Sequence, residues 1–262
     1  MGVIILLTMI ISFPILYYYW NYTIEKRIYT IETMKNISEN IKIFHISDLH
    51  GNKKFYKKLT QMVYEEKPDV VVITGDLVDD KSGEYGINFI KSISLIPIYY
   101  VTGNHELRLE ENKFNQFIRD LENLGVKILD NIETDEFKKG IRFIGVSDLA
   151  LKENNIPNYA RKLNDKEFNV LLMHQPEAIR YLRSYNTDII FAGHAHGGQW
   201  RIPYFNQGIF APDQGVFPPY TSGMYEKYNT KMFVSRGVGS LTWIPRIFNR
   251  PHVIVVNIKK IK

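Results

Sequence analysis

The chain has 262 residues, 45% of them hydrophobic, which suits one large α/β domain with its own core. It contains no cysteine, which excludes disulfides and thiolate metal sites. Lys and Arg number 33 against 28 Asp and Glu, and the resulting formal charge of +5 favours anionic partners such as phosphate esters, nucleic acid or acidic lipid.

In chain order, the first segment differs from the rest. From Gly2 to Trp20 no side chain is charged, and at about 1.5 Å per helical residue this run approaches the ~30 Å of a bilayer core. Tyr17, Tyr18, Tyr19, Trp20 and Tyr22 resemble the aromatic belt found at headgroup level. A charged leader region and a small-x-small cleavage site, the marks of a removable signal peptide, are both missing. Residues 1–22 are therefore expected to form an uncleaved N-terminal transmembrane helix, a single-pass anchor at the cell membrane. Lys26, Arg27 and Lys35 follow the span, too thin a margin to fix the side on which the domain lies. Residues 23–40 read as a polar connector, and 41–262 as a single catalytic domain.

Within that domain strand and helix periods alternate. Ile41–Ser47, Val70–Thr74 and Ile98–Thr102 read as strands; Lys53–Glu66, Tyr85–Ser94 and Phe114–Leu124 have helical spacing. Such units imply a sheet of parallel strands with helices on its outer face. Val126–Leu129, Thr134–Phe137 and Ile141–Val146 then read as closely spaced strands. They are followed by strand Phe168–Met173, a helix over Pro176–Tyr185 opened by proline, and strand Asp188–Ala192. Met232–Ser235 and Val253–Ile258 close the series.

Short polar motifs sit just past the carboxyl ends of these strands, where open α/β sheets hold their ligands. They are Asp48-Leu49-His50, Gly75-Asp76, Gly103-Asn104-His105, His174, and Gly193-His194-Ala195-His196, which together hold five of the seven histidines. Carboxylate, amide oxygen and imidazole in this mixture suit two adjacent divalent metals. Asp48 and His50, two apart on an extended segment, point the same way and can grip one cation. Asp76 lies between the other ligand sets and is the natural bridge. Asn104 offers a neutral oxygen that adds no negative charge against an incoming phosphate. His194 and His196 can reach one metal each. A single Asp-x-His or Gly-Asp pair is commonplace; the ordered series is not.

That series, Asp-x-His, Gly-Asp, Gly-Asn-His-Glu, His and Gly-His-x-His, resembles the calcineurin-like metallophosphoesterase superfamily. Gly-His-Ala-His-Gly-Gly-Gln-Trp-Arg-Ile-Pro at 193–203 and Ser-Arg-Gly-Val-Gly at 235–239 are similar to its bacterial YkuE/YaeI-like phosphodiesterase group, whose relatives include membrane-associated enzymes that cleave the pyrophosphate of a lipid A precursor. The resemblance implies a four-layer α/β/β/α metallophosphatase sandwich. It also implies a first metal on Asp48, His50, Asp76 and His196, and a second on Asp76, Asn104, His174 and His194. His105 is then the catalytic imidazole rather than a ligand. The metals are expected to be manganese, with Fe, Zn, Co or Mg also suited to such mixed sites. The chemistry implied is hydrolysis of a phosphodiester or pyrophosphate bond, in a lipid- or nucleotide-linked substrate, by hydroxide held between the metals. The chain departs from the family at Pro251-His252, where Pro-Glu is usual.

Arg201, Arg236 and Arg246 are the candidates for a further phosphate or anionic head group, against surface salt bridges as the plainer account of each. The aromatic stretches Trp200–Tyr225 and Trp243–Phe248 read either as a lipid-receiving rim or as a cover over the sheet edge. Glu106, Asp79 and Asp148 read as orienters of the ligands or as turn and cap residues, and His45 and His252 as structural. A phosphomonoesterase or protein phosphatase, and a metal-binding interaction scaffold of the same fold, are the alternatives. No nucleic-acid module or dense basic stripe is present, which counts against a nuclease.

Overall fold

In the computed structural model the chain is described at residues 1–79, 83–130, 133–138, 140–152, 163–182, 186–239 and 244–261. Helix α1 (Gly2–Tyr22) is followed by strand β1 (Glu25–Thr33), β2 (Ile41–Ile46), α2 (Tyr56–Glu66), β3 (Val70–Thr74), α3 (Glu84–Ile93), β4 (Ile98–Val101) and α4 (Glu111–Asn123). Next come β5 (Lys127–Ile128), β6 (Glu133–Lys138), β7 (Ile141–Val146), α5 (Asp148–Lys152), β8 (Phe168–Met173) and β9 (Ile189–Ala192). The series ends with β10 (Phe210–Ala211), β11 (Gly215–Val216), β12 (Gly223–Lys227), β13 (Thr230–Val234) and β14 (His252–Lys260).

Two six-stranded sheets carry the fold, in the orders β1-β14-β2-β3-β4-β5 and β12-β13-β9-β8-β7-β6. Strands β2 to β5 run parallel, as do β7, β8, β9 and β13. Every residue of β3 is buried because both faces of its sheet are covered, the condition that selects continuous apolar runs over alternating ones. Val70 and Val72 face the other sheet, where they join Ile43, Tyr99, Phe143, Val170, Phe191 and Phe233. Val71 and Ile73 face the helices, meeting Leu59 and Val63 of α2, Phe89 and Ile93 of α3, and Phe117 and Leu121 of α4. Among the described residues, the outer face of the second sheet is covered by α5 and a 3₁₀ turn over Pro176–Tyr181. There Ala150, Ala178 and Ile179 pack on Leu171, Ile190 and Met232. The helix expected over Pro176–Tyr185 is thus a 3₁₀ turn as far as Tyr181, and residues 183–185 lie outside the described set.

Two expectations for the N-terminal region are corrected. Among the described residues no helix is long and apolar enough to cross a membrane, so the single-pass anchor and the cell-membrane location built on it do not stand. Ser12, Pro14 and the polar-tipped tyrosines dilute the apolar run, and its aromatic end is occupied by the domain. Trp20 packs on Phe248 with ring centroids 4.5 Å apart. Tyr19 Oη accepts a hydrogen bond from Arg250 at 3.1 Å, and Lys54 Nζ lies 3.1 Å from the centre of the Tyr22 ring. Asn21 exchanges two hydrogen bonds with the backbone of Arg246, at 2.8 and 3.0 Å. The expected connector over 23–40 is also more than a tether. Residues 25–33 form β1, which pairs in parallel with β14 from Glu25↔His252 to Thr33↔Lys260.

Gly145 lies where the two sheets come close, and a Cβ there would collide with the Leu129 carbonyl and with Val101. Gly145→Ala is expected to cost about 1–3 kcal/mol through overpacking, read as a lower denaturation midpoint in urea with unchanged far-UV circular dichroism. Fully buried His45 donates to or accepts from Thr74 Oγ1 at 2.8 Å, and burial pushes its pKa down to about 3. The unfolded chain therefore takes up a proton near pH 6.5 that the folded state refuses until about pH 3, so stability falls with pH across that window at roughly 1.4 kcal/mol per unit. His45→Gln is expected to flatten this acid limb, measured as the unfolding free energy between pH 6 and 4 (about two units).

Candidate metal centre

The parallel strands of both sheets end on one edge, and each delivers a polar turn there. Asp48, His50, Asp76, His194 and His196 all have left-handed backbone, with φ of 52°, 49°, 54°, 64° and 46°. This conformation is unfavourable for residues with a side chain and concentrates where geometry is imposed by function. The turns are tied together by the main chain: Asp48 N–H donates to Gly75 O at 3.1 Å and His50 N–H to Asp76 O at 2.9 Å. At Gly103 a Cβ would meet the Asp76 carboxylate, so glycine is what lets the β3 and β4 turns touch.

Glu106 fixes these two turns. It is buried, and its carboxylate accepts four backbone hydrogen bonds: from Asp76 at 2.9 Å and Gly103 at 2.8 Å on Oε2, and from Leu77 at 2.8 Å and Val78 at 3.2 Å on Oε1. Burial and the neighbouring Asp76 charge nevertheless raise its pKa to about 7. The sequence left Glu106 open between orienter and cap; its role is to clamp the turn of Asp76 to that of Asn104.

The predicted ligands converge. Asp48, His50 and His196 form one group whose donor atoms lie within 4.8 Å of one another, and Asp76, His174 and His194 form another. Asp76 also groups with His50 and His105. His50 Nε2 and His196 Nε2 are 3.2 Å apart, and His196 Nε2 is 3.5 Å from Asp48 Oδ1. On the other side His174 Nε2 stands 3.2 Å from Asp76 Oδ2 and 3.1 Å from both Asn104 Oδ1 and His194 Nδ1. Two donors about 2.1 Å from a common cation lie roughly 3.0–3.4 Å apart at right-angled to tetrahedral geometry, so these separations fit shared ions. The tautomers agree: His174 Nδ1 donates to Thr74 O at 2.7 Å, which leaves Nε2 to ligate, and His194 Nε2 donates to Asp213 Oδ2 at 2.7 Å, which leaves Nδ1.

The charges agree as well. Burial, His50 and Arg246 push His196 well below the ordinary imidazole range, so it is the neutral, ligating form. Burial alone disfavours charge on both Asp76 and His174, yet the pair hold each other ionised, with Asp76 well below and His174 well above their ordinary values. The site thus calls for positive charge between Asp76 Oδ2 and His174 Nε2. A divalent cation held there would meet that demand.

His105 borders the first group, its ring 4.6 Å from that of His50 and its Nε2 accepting from Arg108 Nη1 at 3.3 Å. Arg108 and Asp213 were not singled out in the sequence. Arg108 follows His105 by one short turn and has no signature, and Asp213 lies between β10 and β11, where no pattern points inward. The three arginines offered for substrate are mostly engaged elsewhere. Arg201 donates to Gly197 O at 2.7 Å, Thr221 Oγ1 at 3.1 Å and Asn206 Oδ1 at 2.5 Å. Arg236 pairs with Glu25 at 2.5 Å, and Arg246 Nη2 donates to the carbonyls of Arg236 and Gly239 at 2.9 and 2.6 Å. Asp148 accepts from Gln175 at 2.9 Å behind His174. His252 Nδ1 accepts from Arg236 N–H at 3.3 Å, so the departure at this position is filled by a structural contact. Of the two aromatic stretches, Tyr204, Phe205 and Phe248 are exposed, while Trp243 lies outside the described residues.

Comparison with known proteins agrees with this geometry. The family model for calcineurin-like phosphoesterase matches residues 41–198. A metallophosphoesterase of Aquifex aeolicus is 31% identical, over 88% of this chain and 90% of its own length. YkuE of Bacillus subtilis is 26% identical over 84% of this chain and 80% of its own, and the UDP-2,3-diacylglucosamine pyrophosphatase LpxG of Chlamydia muridarum is 23% identical over 97% of each. The chain spans 60% of the length of a Campylobacter jejuni relative, Cj0846, to which it is 29% identical. Among solved structures, TT1561 of Thermus thermophilus shares the fold with a TM-score of 0.51 at 12% identity, covering 79% of this chain and 91% of that one. With its ligand-bearing turns on both sheets and its matches along most of the sequence, the chain belongs to the calcineurin-like phosphoesterase family and is a metal-dependent phosphoester hydrolase.

Proposed function

We propose that this protein is a binuclear phosphodiesterase or pyrophosphatase. The observation that supports the reading is Asp76, whose carboxylate belongs to two groups able to hold a cation, one with His50 and His105 and one with His174 and His194. Asp48, His50, Asp76 and His196 hold one divalent ion; Asp76, Asn104, His174 and His194 hold the second. When bound, such ions supply Lewis-acid stabilisation of phosphoryl oxygens and lower the pKa of water to near neutrality. Manganese suits the mixed nitrogen and oxygen donors.

The chain's own residues do the rest. Glu106 keeps the Asp76 and Asn104 turns in register, and Asp213 holds His194 with Nδ1 inward. His105 sits at the edge of the cluster, beside Arg108, and protonates the departing oxygen. The name of the Chlamydia muridarum relative supports a pyrophosphate-bearing substrate, and the positive net charge of +5 favours an anionic one.

The reading is tested by turnover of a chromogenic phosphodiester against the matching monoester with manganese added. The diester is expected to be preferred, and Asp76→Asn to abolish both metal loading and turnover. His105→Ala is expected to lower diester kcat by about 10²–10⁴-fold with metal content unchanged; equal turnover in that variant contradicts the role given to the imidazole. Glu106→Gln places an amide N–H against backbone N–H donors and is expected to weaken metal binding by roughly 10–100-fold, measured by metal titration, with activity recovering in excess manganese.

A further inference from the structure

Behind the turn of Asp48, between the end of α1 and the segment after β13, lies a cavity of about 190 Å³. Asn21, Tyr22, Asn52, Lys54 and Arg246 are among its walls, and among the described residues no carboxylate lines it. Arg246 is 1% exposed, and its Nη2 is committed to backbone carbonyls. Its Nε and Nη1 are buried with no hydrogen-bond partner among the described residues. A buried guanidinium with unused donors is costly unless something else meets them. Lys54 adds a second cation: its Nζ donates to Asn21 O at 2.7 Å and leans on the Tyr22 ring, which leaves ammonium donors to spare.

The two cations burden one another. Burial and the Arg246 charge bring Lys54 down to about 8, and burial and the Arg236 charge bring Arg246 down to about 9. The Asp48 charge offsets this only in part.

We propose that this cavity is a second anion site, apart from the carboxylate–imidazole cluster, which takes a phosphate group against Arg246 and Lys54. The charge balance selects the ligand class. Two cations facing one small space are neutralised together by a dianion, and a phosphate group carries close to two negative charges at neutral pH. A halide or a carboxylate carries one. The site also touches the catalytic turn: Asn52 and Lys54 continue the segment that holds Asp48 and His50, and Gly239 N–H donates to Asp48 O at 2.6 Å.

The test uses the metal-loaded full chain with inorganic phosphate as the probe. Crystals grown in phosphate are expected to show tetrahedral density in the cavity, in contact with Lys54 and Arg246. Exposed Lys54 can be changed without threatening the fold. Lys54→Gln is expected to weaken phosphate binding in calorimetry by at least about tenfold, with diester kcat unchanged. Arg246→Lys, which keeps the charge and loses donors, is expected to weaken it as well. Phosphate held at the metal centre competes with the diester and disappears in Asp76→Asn, whereas the cavity site persists in that variant, so failure of the binuclear reading and failure of this one are separable. Free phosphate as the occupant shows as saturable binding without substrate. A phosphate carried by the substrate shows as a KM raised by Lys54→Gln only for a diester with an additional phosphate. An empty cavity in the phosphate-grown crystals, or binding and KM both indifferent to Lys54→Gln, overturns the proposal.

Discussion

Everything in the catalytic edge is arranged around one buried carboxylate. Asp76 accepts from His105 N–H through Oδ1 at 2.9 Å, and its Oδ2 faces His174 and His50 at 3.2 and 3.7 Å. Leaving such a group ionised without compensation costs several kcal/mol, so the fold must bring positive or polar partners to it from every side. Five turns do so, drawn from strands of two sheets, and left-handed backbone at five of the contributing residues shows the strain accepted to achieve it. The cost is met by the rigid sheets behind and by Glu106, whose four backbone hydrogen bonds join turns that the strands alone would leave independent.

The edge was legible in the sequence to an unusual degree because its determinants are local. A strand covered on both faces reads as an apolar run, and the ligand follows within a few residues; Val70–Thr74 with Asp76 and Phe168–Met173 with His174 have the limits the spacing predicts. The seven candidate ligand positions and His105 come together because each lies directly after such a run. Partners chosen by folding were less visible. Arg201, Arg236 and Arg246 look alike in a sequence, and only three-dimensional contact reveals that Arg201 and Arg246 serve backbone carbonyls while Arg236 meets Glu25.

The N-terminal region was misread for a related reason. Uncharged aromatic residues suit a bilayer interface and a protein surface equally well, and composition does not separate the two. Asn21, paired with the backbone of Arg246, and Trp20, packed on Phe248, show that the end of α1 is committed to the domain. Strand β1 was missed because half-exposed residues alternate along it, with Glu25, Lys26 and Arg27 at its start, so it reads as polar linker although its backbone completes a sheet.

The placement of β14 has a temporal consequence. It lies between β1 and β2, antiparallel to the strand that presents Asp48 and His50 and parallel to the one before it. During synthesis both neighbours emerge early; β2 has β3 to pair with, but β1 has no partner in the sheet until β14 is made. Contacts this remote in sequence slow folding. A chain interrupted before β14 would carry all seven candidate ligand positions, yet lack the strand that flanks the one leading to Asp48 and His50.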